Sequence, residues 1–242
     1  MFELNGIVCP IIGDGGSGVV VLREGIAVKL PRSYIYGLED DHDDSVQREK
    51  EVFRRLKHCS QVVQCLDVSG PGIEMEWMEN GNLRDYLHER QVSPAVQLSW
   101  FRKMARGLSE IHHHRVIVAD IHTRNFLVAR DVSIKFSDFS ESSVMEPECD
   151  MRQIDDNGYS IYTDMGQLAA VMYEIITGEK CDFDLFKDQP PGPAKAAWPR
   201  REDLPRTQGI WLGSIIEKCW TKGAFQTSLE LSLALELATE ID

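Results

Sequence analysis

The chain has 242 residues, with 26 Lys+Arg against 39 Asp+Glu and a net charge of −13. That acidic balance argues against nonspecific binding to nucleic acid or anionic membrane, which both demand a basic surface, while 43% hydrophobic and 27% charged residues suit a globular chain with a real core. No apolar run nears the roughly 20 residues of a membrane span, the N-terminus lacks a signal-peptide pattern, and six scattered cysteines without a CxxC argue against a zinc site or disulfide framework. The expectation is a soluble, reduced, intracellular protein, cytoplasmic or nuclear.

Residues 7–12, 19–22 and 26–30 are short β-branched runs punctuated by glycines and read as strands. An acidic loop at 39–44, read as a solvated face, precedes a charged segment at 47–56 whose Val52, Phe53 and Leu56 would line one helical face. Residues 61–68 and 72–78 return to strand patterns, and Glu79-Asn80-Gly81 is a turn signal suited to a hinge.

Beyond it the pattern turns helical. Ser93-Pro94 offers an N-cap with proline at the first helical position, and Leu98, Phe101, Met104, Leu108 and Ile111 follow at helical spacing. Residues 164–177 predict a second apolar helix closed by Gly178, and a proline-rich loop follows at 189–205. Residues 229–237 alternate leucine with period two, which is a strand pattern. Leu, Ala and Glu are nonetheless strong helix formers and β-branched residues are absent, so a helix is expected. The layout is α+β: a small β-rich lobe with one helix, joined to a larger α-helical lobe.

Gly13-Asp14-Gly15-Gly16-Ser17-Gly18 fits GxGxxG between two strand-like runs. Glycines let backbone N–H groups approach phosphate oxygens. A dinucleotide fold needs a helix directly after them, and Val19-Val20-Val21-Leu22 follows instead; a plain surface hairpin is the competing reading. Eleven residues after Gly18, Lys29 sits in an apolar strand, where it must snorkel or pair, and Glu49 on the following helix is its candidate partner. Asp120 and Asn125 stand five apart in a loop, and Asp138 precedes Phe139. The order of these features argues against coincidence.

With these motifs in this order, the chain resembles a eukaryotic protein kinase domain over nearly its whole length, with 1–78 as N-lobe, 79–81 as hinge and 82–242 as C-lobe. The resemblance implies a bilobal kinase-like fold using ATP and Mg²⁺. Ile12, Gly13, Gly15, Gly16, Ser17 and Gly18 would cover the phosphates, and Val20, Ala27 and Leu127 would sandwich the adenine. Met75 would be the gatekeeper, with Glu76, Trp77 and Met78 along the hinge. Lys29, paired to Glu49, would hold the α/β-phosphates. Asp120 would take the substrate proton, Arg124 would neutralise the γ-phosphate, and Asn125 and Asp138 would hold Mg²⁺. Residues 164–178 resemble the family's buried central helix, which opens on an aspartate. Trp198-Pro-Arg-Arg-Glu-Asp-Leu-Pro and Lys218-Cys-Trp resemble tyrosine-kinase-like members, and the brevity of the chain is similar to single-domain fungal kinases.

Four departures qualify the implied roles. Val118-Ala119-Asp120 replaces His-Arg-Asp: valine can fill the apolar slot beside Phe53 and Phe139, whereas the missing arginine removes the usual anchor for a phosphorylated activation loop. His122 stands where serine/threonine kinases place a lysine, and Arg124 matches the arginine of many tyrosine kinases. Asp138-Phe139-Ser140 has serine for glycine, which should stiffen that loop. Only 25 residues separate Asp138 from Asp164, with no Ala-Pro-Glu, and Thr227 stands where its arginine partner would be, so both partners are gone together. His112-His113-His114 reads as a helix C-terminus ahead of a metal site.

The reading that results is ATP-dependent phosphoryl transfer to a protein hydroxyl, Ser/Thr ranked ahead of Tyr, with a protein substrate and no nucleic-acid or membrane partner; the oligomeric state stays open. The alternatives are a pseudokinase, binding nucleotide or a partner without turnover, and a small-molecule kinase of similar fold.

Overall fold

In the computed structural model, which describes residues 1–4, 6–37, 43–187 and 195–239 (backbone only at 43 and 44), Pro10 divides the strand expected at 7–12. Proline has no N–H to continue a ladder. So β2 (Ile7–Cys9) folds back on β1 (Phe2–Leu4) as a separate hairpin, and β3 (Ile11–Gly15) starts the main sheet. β4 (Gly18–Arg23), β5 (Ile26–Leu30), β6 (Cys65–Asp67) and β7 (Ile73–Glu76) complete five antiparallel strands in the order β3-β4-β5-β7-β6. Period-two alternation decides what each face does. Val19, Val21, Val28 and Leu30 pack with Leu4 and Cys9 in one small core, while Val20, Ala27 and Lys29 face the other way.

The strand expected at 61–68 is reduced to β6. Gln61 and Val63 instead bond residue 136, Val63 donating its N–H to the Phe136 carbonyl at 2.9 Å and the Gln61 carbonyl accepting the Phe136 N–H at 2.8 Å, so these backbone groups tie the sheet to the second lobe. A short helix that the sequence reading missed, α1 (Arg32–Tyr36), follows β5. Next, α2 (Asp43–Arg55) begins four residues before the expected start at 47 and buries Val46, Val52 and Phe53. The rest of the predicted acidic loop, 39–42, lies outside the described residues, as do 189–194 of the proline-rich loop.

The larger lobe opens on α3 (Leu83–Glu89), capped by Asn82, whose side chain accepts the Asp85 N–H at 3.0 Å. Ser93 caps α4 (Pro94–His113) as its sequence foretells, and Leu98, Phe101, Met104, Leu108 and Ile111 are all buried along it. β8 (Val116–Ile117), a 3₁₀ turn at Thr123–Asn125, β9 (Phe126–Val128), β10 (Ile134–Phe136) and β11 (Ser143–Val144) lead to α5 (Ile161–Thr177). That helix starts three residues before Asp164, on a Ser160/Thr163 capping box, and ends where Gly178 takes φ 74°. α6 (Gly213–Trp220) precedes α7 (Ser228–Glu236), the period-two segment, which is helical with Thr227 as its cap. In a helix Leu231 and Leu235 share the buried face while Leu229 and Leu233 point to solvent, which accounts for alternate leucines without a sheet. Among the described residues no helix is long and apolar enough to cross a membrane.

Candidate active site

A cleft of about 550 Å³ lies between the five-stranded sheet and the second lobe. The β3–β4 hairpin roofs it, paired Gly13 to Val20 and Gly15 to Gly18. At Gly18 a Cβ would stand 2.8 Å from the Leu30 carbonyl oxygen, so the close approach of β4 to β5 demands glycine. Ile12, Gly13, Gly15, Ser17 and Gly18 line the cleft, and Gly16 sits at the tip of the turn above it.

Strand β5 turns Lys29 into this cleft, where it is only 4% exposed. Its Nζ lies 2.7 Å from Glu49 Oε2 on α2 and 2.9 Å from Asp138 Oδ1. Burial by itself would depress the ammonium pKa, but the Glu49 and Asp138 carboxylates more than offset this and raise it. Burial likewise pushes the Asp138 carboxyl up, and the neighbouring Lys29 charge brings it below its ordinary value. The other Glu49 oxygen accepts the Phe139 N–H at 3.0 Å, so one carboxylate orients both the lysine and the start of the loop at 138. Asp138 itself has φ 57°, a left-handed conformation that aspartate tolerates better than most residues; the positive φ thus falls on residue 138 and not on Ser140. Ser17, at the loop tip, donates to Asp138 Oδ2 at 3.4 Å.

Val20, Ala27, Met75, Glu76, Trp77, Met78 and Leu127 all line the cleft, Met75 opposite Ala27 in the β5–β7 register. The Glu76 carboxylate is taken up by Lys135 at 2.5 Å and the Gln64 N–H at 2.6 Å, while the Glu76 N–H donates to the Gln64 carbonyl at 3.0 Å.

In the loop after β8, Asn125 Nδ2 donates to both the Asp120 carbonyl and Asp120 Oδ2, each at 3.0 Å, leaving Oδ1 as the free acceptor of that amide. His122 Nε2 lies 3.2 Å from the same Asp120 oxygen. Asn125 and Arg124 line the cleft, whereas Asp120 stands outside its wall and meets it through Asn125. Val118 is buried in the same core as Phe53 and Phe139, whose rings meet edge to face at 5.4 Å. Asp164 accepts the Val118 and Ala119 N–H groups at 2.7 and 2.9 Å. His112, the first of the three histidines, is buried between Asp164 at 2.9 Å and Ser228 at 2.8 Å. Among the described residues no cluster of three or more His, Cys, Asp or Glu could hold a metal ion.

The segment after Asp138 is folded by its own side chains. β11 pairs with β8, and the Ser142 hydroxyl donates to the Val118 carbonyl at 3.0 Å. The Ser143 hydroxyl donates to Asp155 Oδ2 at 2.7 Å, and Asp155 Oδ1 accepts the Asn157 and Tyr159 N–H groups at 2.9 and 2.8 Å. Burial pushes the Tyr159 phenol up to about 12.

Sequence reasoning missed Asp14, Asn82, Asp85 and Ser137, which also line the cleft. For Asn82 and Asp85 a signal existed: a capping pattern directly after the hinge turn.

A family model described as protein tyrosine and serine/threonine kinase matches residues 22–226. A probable serine/threonine-protein kinase of Dictyostelium discoideum is 27% identical over 166 residues, 61% of this chain and 33% of that protein. Tyrosine-protein kinase TXK of Mus musculus is 30% identical over 194 residues, 72% of this chain and 36% of that protein. Mitogen-activated protein kinase kinase kinase 12 of Rattus norvegicus is 26% identical over 188 residues, 69% and 20% respectively. The matched regions span about a third or less of these relatives.

Proposed function

Since the chain belongs to the protein tyrosine and serine/threonine kinase family, we propose that it transfers the γ-phosphoryl group of ATP to a protein hydroxyl, serine or threonine ahead of tyrosine. The observation that carries this reading is the buried Lys29, held at once by Glu49 and Asp138 in a glycine-roofed cleft. The donor set suits a nucleotide with Mg²⁺: Asn125 Oδ1 and the Asp138 carboxylate are hard oxygen ligands, and Gly13, Gly15 and Gly18 put no side chains over the cleft they line. When bound, ATP·Mg²⁺ supplies the phosphoryl group. The residues of the chain position and neutralise it: Lys29 toward the α/β-phosphates, Arg124 toward the γ-phosphate, Val20, Ala27 and Leu127 around the base. Asp120, oriented by Asn125 and His122, accepts the proton of the incoming hydroxyl.

In this reading residues 1–78, 79–81 and 82–242 are N-lobe, hinge and C-lobe of one domain. The protein acts intracellularly, in cytoplasm or nucleus, on protein substrates, with no nucleic-acid or membrane partner for its acidic surface. Radiolabelled phosphate transfer tests the proposal. Asp120→Asn keeps the shape and removes the base, so turnover should fall at least about a hundredfold with ATP affinity unchanged. Asp138→Asn should weaken both. Wild-type protein that binds ATP·Mg²⁺ and transfers nothing would be a pseudokinase.

A further inference from the structure

The glycine-rich loop is gripped from its solvent side. Four of its six residues, 13–18, are glycine, so the loop has little side-chain packing to hold it and much backbone freedom to lose. The other two are Ser17, which reaches Asp138, and Asp14, a carboxylate at the mouth of the cleft. Helix α1 meets it there. Arg32 Nη1 donates to Asp14 Oδ1 and, at 2.9 Å, to the Gly15 carbonyl. The Tyr36 hydroxyl donates to Asp14 Oδ2 at 2.8 Å, and the Arg32 guanidinium lies over the Tyr36 ring at 5.1 Å. Both Asp14 oxygens are therefore engaged and turned toward α1. The Tyr36 and Arg32 hydrogen bonds hold the Asp14 carboxyl below its ordinary pKa, as an anion.

We propose that Arg32 and Tyr36 are positioning residues for nucleotide phosphates: they fix the loop at 13–18 and hold the loop's own carboxylate, Asp14, in an ion pair that offsets its repulsion of the phosphates. The inference rests on the nucleotide reading above. Its physical content is separable, because the grip acts on phosphates and not on the base. A pair this exposed acts through modest, salt-sensitive energies.

The test compares wild type, Arg32→Gln and Tyr36→Phe by calorimetric titration with ATP·Mg²⁺ and with adenosine, and by amide hydrogen exchange without ligand. Arg32→Gln should weaken ATP·Mg²⁺ by about two- to fivefold, the range an exposed ion pair commands, and leave adenosine affinity unchanged. Tyr36→Phe should act in the same direction and less. Exchange should quicken at residues 13–18 and stay as it was in β5. Equal loss of ATP and adenosine affinity would make the effect a general loosening and overturn the proposal, as would wild-type ATP affinity in Arg32→Gln. Failure of the wild type itself to bind ATP·Mg²⁺ would overturn the nucleotide reading and this proposal with it, whereas the other outcomes bear on the grip alone.

Discussion

Asp164 Oδ1 accepts the Ala119 N–H at 2.9 Å and so holds alanine at φ 68°, a conformation that L residues seldom adopt. The other oxygen of the same carboxylate serves Val118 and His112, at 2.7 and 2.9 Å, and Asp164 is fully buried. The loop that carries Asp120 thus hangs from one carboxylate on α5. Asp164→Ala should cost about 2–4 kcal/mol, because it strands the buried Val118 and Ala119 N–H groups and leaves the His112 ring without its carboxylate partner. Urea unfolding, read as a shift in midpoint at constant slope, checks this; a midpoint equal to wild type would refute it.

The ion pair between Lys29 and Glu49 predicts a non-additive pair of variants. Lys29→Met leaves the Glu49 carboxylate at 1% side-chain exposure with no cation, which should destabilise by about 3–5 kcal/mol. Adding Glu49→Gln removes the orphan charge and keeps an acceptor for the Phe139 N–H. The double variant should therefore be more stable than Lys29→Met alone, as a double-mutant cycle measures.

Phosphatase treatment should leave the transfer rate unchanged. The segment from 140 to 163 is organised by Ser142, Ser143 and Asp155, and alanine at position 119 offers no anchor for a phosphate. By contrast Asp155→Ala, which frees the Ser143 hydroxyl and two backbone N–H groups, should slow transfer. A rate abolished by phosphatase would contradict this account.

Acid should weaken the second lobe through Glu217. Bidentate Arg201, at 2.8 and 2.6 Å, together with the Thr207 hydroxyl, lowers the Glu217 carboxyl from 4.5 to about 2. A depressed carboxyl contributes stability above pH 4.5 and loses it as pH falls toward 2. Glu217→Gln should flatten that stretch of the acid limb and leave stability near pH 7 only slightly reduced, since the pair is partly exposed. An acid limb identical to wild type would count against the assignment.

What the sequence makes legible is whatever is local. The glycine run, Lys29 in its strand, Asp120 with Asn125 and the Asp138-Phe139 step each sit within a few residues of one another, and the structure brings them to one cleft or its rim. Glu49 could be chosen as the partner of Lys29 because a buried cation narrows the choice to the next amphipathic helix. Long-range polar contacts leave no such trace. Nothing in the spacing of Asp164 and Ala119, or of Asp14 and Arg32, signals a bond, because those contacts follow from tertiary placement. The hairpin before Pro10 and the loss of most of the strand at 61–68 were hidden for a related reason: apolar runs announce burial, not the ladder that takes up their backbone.

The self-bonded segment after Asp138 has a consequence for how such a chain is governed. A covalent mark can act as a switch only by choosing between two arrangements of similar free energy. Here Asp155 already occupies the backbone and hydroxyl groups of the folded arrangement, so a mark on this stretch must displace those bonds before it can select another arrangement. The segment thus works as a latch whose strength is the sum of the bonds Asp155 makes, and a mark acts on it only as far as it loosens that latch.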